Sequence, residues 1–313
     1  MSTTSTDSRA RAYSTRELRD AAAALAAGKF ASAPATDPTP ATSYGHLDEP
    51  NVAPALALGP ASQLVVDAGG RGSAVGEVGE IISNLVRVRA AHAGAGGSTI
   101  ALAIADAADA TGLRTRVLDA AAPRWSGLVG ATVTELGAHQ GWRRGRRGDN
   151  VLIERVEDPV ELVSQVPLPG ESTGVDLTVL DAGWSCRELD SSTASPSWIT
   201  ACAAAVDVLV TRPVELALSQ TEATLGELNK HHGLDQVLVV VVGAAKWGRE
   251  LATAGPRLRT AHERAAVAFM PLLPIKTLPG LGPEPLPRQL TNPAQRLLEQ
   301  ITTVTGPLTA NRT

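Results

Sequence analysis

Three features of the chain could do chemistry together. They are a glycine-rich turn, Ala93-Gly94-Ala95-Gly96-Gly97, the hydroxyls of Ser98 and Thr99 just after it, and two acids, Asp119 and Asp181, each closing an apolar segment. A helix leaves its first backbone N–H groups without partners and carries partial positive charge there, so a small-residue turn opening a helix receives phosphate oxygens. A serine hydroxyl and a carboxylate beside that phosphate are donors a Mg²⁺ ion accepts. The chemistry these types and spacings point to is binding of a nucleotide phosphate.

The elements that must position these residues form a βαβ unit. An apolar run, Leu85 to Ala91, enters the turn; an Ala/Ile/Leu segment of helical period leaves it and is closed by Gly112; a second strand, Arg114 to Leu118, ends at Asp119. Further on, DLTVLDAGW gives a strand over Leu177 to Leu180 ending in Asp181. VLIERV (Val151 to Val156), DVLVTRP (stopped by Pro213), QVLVVVVGA and AVAFMPLLP read as further strands, the QVLVVVVGA strand being the most hydrophobic and expected at the centre. Helices are expected around Ser126 to Leu136, over DPVELVSQV, Trp198 to Ala205, VELALSQTEATLGELNKHH and PLPRQLTNPAQRLLEQITTV, the last capped by Thr291 or Asn292. Strands alternating with helices predict an α/β fold: a doubly wound, mostly parallel sheet with helices on both faces.

A Walker A loop, G-x-x-x-x-G-K-[ST], adds to such a turn a lysine that neutralises the β/γ-phosphate oxygens. Here Gly97 stands at the lysine position. With that substitution, the order of motifs resembles the ParA/MinD group of P-loop ATPases, whose loop reads K-G-G-x-G-K-[ST]-T. His92 stands where the first lysine belongs, Gly94 and Gly96 match glycines, Ser98 matches the Mg²⁺-binding hydroxyl and Thr99 the final threonine. The family's D-x-D at the end of the second strand is Asp119-Ala120-Ala121 here, so the later, water-activating acid is missing. Asp181 matches the Walker B acid, and Gly243 replaces a residue that is often an adenine-contacting Asn. The resemblance covers residues 84 to 305. It implies a P-loop NTPase-like fold of SIMIBI type, ATP and Mg²⁺ as ligands, and Gly94, Ala95, Gly96, Gly97, Ser98, Thr99, Asp119 and Asp181 as nucleotide-binding residues, with Ser98 and Asp181 toward Mg²⁺. GAGGSTIALAIA is closest in style to the TadZ/CpaE and septum-site-determining branch, whose Walker lysine is a small residue. That implies positioning or partitioning a plasmid, conjugation, secretion or pilus assembly, with homodimerisation, a protein partner, and weak or no ATP hydrolysis. In a dry site, losing one such charge contact removes on the order of 10²-fold in rate.

The rest of the chain sets bounds. Its 313 residues are 43% hydrophobic but only 3% aromatic, so the core must be aliphatic, and a net charge of −4 gives no global pull toward polyanions. Only four lysines stand beside many arginines, a bias suggesting a high-GC, actinobacterial source. Residues 1–60 read as a disordered tail and linker with one possible helix at 14–29, residues 61–83 as a lead-in, and 306–313 as a disordered end. With no apolar span and no secretory leader, the chain is expected to be cytoplasmic. Cys186 and Cys202 are expected as buried reduced thiols, and Trp125, Trp184, Trp198 and Trp247 as packing residues. Arg143, Arg144, Arg146 and Arg147 are read as a loop able to contact DNA or an acidic partner. Two other readings stand beside the main one. One is an α/β interaction scaffold without a nucleotide. The other is a Rossmann-type dinucleotide site, in which Asp119 would face a ribose.

Overall fold

The computed structural model describes residues 82, 84–171, 173–191, 197–231, 233–273 and 280–308. The expected tail over 1–60 with its helix at 14–29, all of the 61–83 lead-in except Ile82, and Lys276 lie outside these residues. Nine strands form one sheet: β1 Leu85–Ala90, β2 Thr115–Asp119, β3 Thr134–His139, β4 Trp142–Arg147, β5 Val151–Val156, β6 Leu177–Asp181, β7 Val206–Thr211, β8 Val237–Val242 and β9 Val267–Met270. Their order is β3-β4-β5-β2-β6-β1-β7-β8-β9. Every pairing from β5 to β9 is parallel, and β3–β4 and β4–β5 are antiparallel. Six α-helices are described: α1 Gly97–Ala110, α2 Cys186–Ser191, α3 Trp198–Ala201, α4 Glu215–His231, α5 Pro256–Glu263 and α6 Arg288–Thr305.

The crossovers explain the layering. From β1 through α1 the chain moves one way along the sheet to β2; from β7 through α4 to β8, and through α5 to β9, it moves the other way. Right-handed crossovers therefore put α1 on one face and α4 and α5 on the opposite face. The sheet is doubly wound, as the alternation of elements predicts. Helix α1 is buried nearly all round: Ile100, Leu102 and Ile104 are inaccessible, and its alanines let α6 pack close against it. Helix α6 answers with a stripe at helical spacing, Leu290, Ala294, Leu297, Leu298 and Ile301.

Strand β1 is less apolar than its sequence reads. Val86 and Val88 enter the main aliphatic core, whereas Arg87 and Arg89 point to the other face and are equally buried. There Arg87 grips Asp207 of β7 with two bonds of 2.7 and 2.8 Å and donates to the carbonyls of Ile199 and Cys202. Arg89 donates to the same carboxylate at 3.0 Å. A second core cluster on that face joins Leu118 and Leu180 to Trp142, Trp198 and Ile199, the two indoles meeting edge to face at 6.4 Å.

Several expectations are corrected. The region Ser126 to Leu136 is a string of turns running into β3, not a helix, and the arginine-rich segment is strand β4, not a loop. DPVELVSQV contains only a 3₁₀ turn at Val163–Gln165. β8 is buried along its whole length yet is eighth of nine in the order, because α5 and the neighbouring strands β7 and β9 cover it. Helix α6 begins at Arg288 behind Pro287, so Thr291 and Asn292 are interior residues. The Thr-Asn-Pro pattern imitates a cap followed by proline, but Pro293 lies inside the helix. At the C-terminal end, described chain continues past 305, and Leu308 packs into the core.

Candidate functional site

The turn between β1 and α1 is built by backbone geometry that favours glycine. Gly94 (φ 74°) and Gly96 (φ 102°) are left-handed, and Gly96 is the residue from which α1 starts. No side chain caps that helix, so the N–H groups of its first turn are open to a ligand. They face a cavity of about 840 Å³ whose wall includes Gly94, Ala95, Gly96, Gly97, Ser98, Thr99 and Asp181. That volume lies within the range of small-molecule sites. The sequence-predicted loop residues and Asp181 are thus brought together at the C-terminal edge of the sheet, where open α/β sheets bind ligands.

Asp181 ends β6, directly beside β1, and is 3% exposed. Ser98 and the Gly183 backbone hydrogen-bond its carboxylate, while its Oδ2 is buried with no partner. Burial pushes its pKa up to about 6, against the pull of those two donors. Asp119 is its register neighbour across β2–β6. Burial first, and the charge of Asp181 second, push Asp119 up to about 7. The two acids therefore face each other without the cation a Walker lysine would supply.

Asp119 is placed differently from Asp181. It does not line the cavity; its two oxygens accept from the Ala121 N–H (3.1 Å) and the Ser126 hydroxyl (2.5 Å), and Ser126 Oγ in turn accepts from the Leu128 N–H. Asp119 thus fastens the turn that follows β2. This turn leans on the start of α1: a Cβ added at Gly127 would stand 2.6 Å from Ser98 Oγ. Trp184 ties down the same turn by donating to the Ala120 carbonyl at 2.8 Å. Sequence reasoning did not find Ser126, Gly127 or Arg124 here, and no spacing in the chain announces them. Trp125, expected to pack, is 73% exposed on this turn, with the Arg124 guanidinium 5.8 Å from its ring.

The donor set can be tested against a Mg²⁺-nucleotide. The unpartnered Asp181 Oδ2 and the adjacent Ser98 hydroxyl are the kinds of oxygen the ion takes, and the open N–H groups suit phosphate oxygens. At Gly97 a Cβ would meet only Ala90 and Asp181 at ordinary distances of 3.6 Å, so the lysine is missing by sequence, not by lack of room. Leu273, Gly280 and Leu281 also line the cavity.

The four arginines of β4 are not one patch. Arg143 is paired with Glu157 at 2.6 Å, Arg144 with Glu154 at 3.0 Å, and Arg147 with Asp106 at 2.7 Å. Arg147 is buried and also donates to the carbonyls of Ala131, Gly282 and Glu284, so it clamps the chain before α6. Among the described residues, Arg146 alone of the four is exposed without an ion pair. Both cysteines are buried and unbridged. No described helix is long and apolar enough to cross a membrane.

Strand order decides against the dinucleotide reading. In that fold the strand carrying the ribose-binding acid lies next to the first strand, whereas here β6 stands between β1 and β2. No protein-family model matches the chain, and no curated protein does. Among solved structures it is similar to the cell-division ATPase MinD of Pyrococcus furiosus, with 18% identity, TM-score 0.47, and coverage of 71% of this chain and all of that one. It is also similar to MinD of Pyrococcus horikoshii, solved with Mg-ADP (18%, TM-score 0.46, 71% and 97% covered). A ParA-family ATPase of Chlorobium tepidum is similar at 11% identity and TM-score 0.41, covering 69% and 98%. By its own strand order, its glycine loop at the start of α1 and the Asp181 strand set directly beside β1, the chain is a doubly wound α/β domain with a phosphate-loop-like turn between β1 and α1.

Proposed function

We propose that the chain is a ParA/MinD-like positioning or partition protein that binds ATP with Mg²⁺ and hydrolyses it weakly or not at all. The observation that carries this reading is the pairing of an uncapped, glycine-built phosphate cradle with the unpartnered Oδ2 of buried Asp181, at a site whose lysine position is Gly97. The cradle supplies binding through backbone dipoles, which need no side chain. Ser98 and Asp181 would hold Mg²⁺, and the ion would supply charge to the β/γ-phosphate oxygens. Catalysis lacks two parts: the lysine at position 97 and the acid that would occupy position 121, where Ala121 stands.

Nucleotide would then act as a ligand that sets the state of the surface around the cavity, and through it homodimerisation and a protein partner in a plasmid, conjugation, secretion or pilus system. Arg146 and the hairpin that carries it are candidate contacts to that partner or to DNA. A cytoplasmic location accords with this role. Titration of the full chain with Mg²⁺-ATP, with NADH as comparison, tests the reading. Saturable ATP binding weakened by Asp181→Ala is expected; NADH binding alone would sink it. The scaffold reading, an α/β domain with no nucleotide, predicts that neither ligand binds.

A further inference from the structure

We propose that Arg124 is a phosphate-binding residue that supplies, from the turn after β2, the positive charge the loop lacks at Gly97. The inference rests on the nucleotide reading above and names how that site manages without its lysine. Among the described residues, the cavity wall contains no lysine and one arginine, Arg124. Lys230 and Lys246 line no part of it.

Three observations aim Arg124 at this task. First, it is exposed and makes no ion pair among the described residues; its one recorded contact is the face of neighbouring Trp125. The buried and half-buried Arg87, Arg89, Arg116, Arg144, Arg147 and Arg155, by contrast, all hold acids. Second, its position is fixed. The turn is pinned by Asp119 through the Ala121 N–H and Ser126, by Trp184 through Ala120, and by the close approach of Gly127 to Ser98. This accounts for an acid at the end of β2 that is spent on the protein itself. Third, the same cavity is lined by residues with buried polar atoms that have no partner, Asp181 Oδ2 and His92 Nε2. A phosphate-bearing ligand in this cavity would meet the guanidinium, whose planar fork suits phosphate oxygens. The Trp125 ring lies beside the guanidinium, 5.8 Å from its carbon to the ring centroid, within reach of a cation–π contact.

The test is a calorimetric titration of the full chain with Mg²⁺-ATP, ADP and AMP, using the wild type, Arg124→Ala, Arg124→Lys and the double variant Arg124→Ala/Gly97→Lys. Arg124→Ala is expected to weaken ATP by about tenfold or more, the worth of one charge-assisted contact, and AMP far less. Arg124→Lys should retain most of the affinity, and Gly97→Lys should restore what Arg124→Ala loses. The shift in tryptophan emission on ATP addition should be smaller in Trp125→Phe than in the wild type, Trp184 being the other indole on the cavity wall. Because Arg124 is exposed and unpaired, its variants should melt with the wild type. Equal ATP affinity in wild type and Arg124→Ala, or an equal loss for AMP and ATP, overturns the proposal while leaving the nucleotide reading intact. A wild-type chain that binds none of the three nucleotides overturns both.

Discussion

One sheet holds two buried charge clusters with opposite solutions. On the face away from α1, Asp207 sits between Arg87 and Arg89, all three buried, and their attraction overcomes its burial to hold its carboxyl below the ordinary 3.8. At the C-terminal edge, Asp119 and Asp181 are as deeply buried, yet each is raised, because burial outweighs their hydrogen-bond donors and, for Asp119, the more distant charge of Arg155. The first cluster is complete within the chain and serves the fold. The second is incomplete, and what it lacks is positive charge. A buried carboxylate without a paired cation is costly in a structure selected for stability alone, which is the physical ground for proposing a charged ligand here.

Breaking the complete cluster should have the largest effect. Asp207→Ala strands two buried guanidinium groups and is expected to cost about 3–5 kcal/mol, read as a lower denaturant midpoint. Asp181→Ala, by contrast, should leave stability unchanged or higher near neutral pH. Arg147→Ala is expected to follow, since it opens the Asp106 pair and frees three carbonyls before α6, whereas Arg146→Ala, one residue away, should scarcely move the melting point. Gly127→Ala forces a methyl group against Ser98 and should cost about 1–3 kcal/mol by overpacking, and loosen nucleotide binding as the turn shifts.

The two clusters also predict opposite pH slopes. The folded pKa values of Asp119 and Asp181 lie above the unfolded 3.8, so the folded chain binds protons the unfolded chain has lost. Stability from this pair falls as pH rises from about 4 through 6 to 7 and is flat above. Asp207 is lowered, so its contribution is present above 3.8 and lost as pH falls below it. Asp119→Asn should flatten the upper slope and leave the lower one; equal slopes in both proteins would show that the acid pair is not what titrates. Saturating Mg²⁺-ATP should likewise flatten the upper slope, by supplying the missing charge.

What the sequence makes legible follows from the strength of local signals. The β1–turn–α1–β2 unit, the strand ending at Asp181, and β7 through β9 are legible because their apolar runs and glycine or proline stops agree with their burial. The alternation VRVRA, in contrast, hides two buried arginines, since their partner Asp207 lies 118 and 120 residues away and pairing of that range leaves no local trace. The β3–β4 hairpin is missed because arginines in close succession resemble a solvated loop. Its strand character comes from Trp142 entering the second core and from acids on other elements, Asp106, Glu154 and Glu157, that neutralise the arginines. Of the site, the loop residues and Asp181 are legible from motif spacing. The inward use of Asp119 and the presence of Arg124 on the wall are not, because both depend on how a turn without periodicity folds back on α1.

The central claim, a phosphate site that binds without efficient hydrolysis, is tested most directly by following bound nucleotide and released phosphate together on the full chain with Mg²⁺-ATP. The account predicts saturable binding, weakened by Asp181→Ala, with phosphate release no faster than in that variant. Absence of saturable binding would contradict it, and so would turnover of about 1 s⁻¹ or more, the lower end of ordinary enzyme rates.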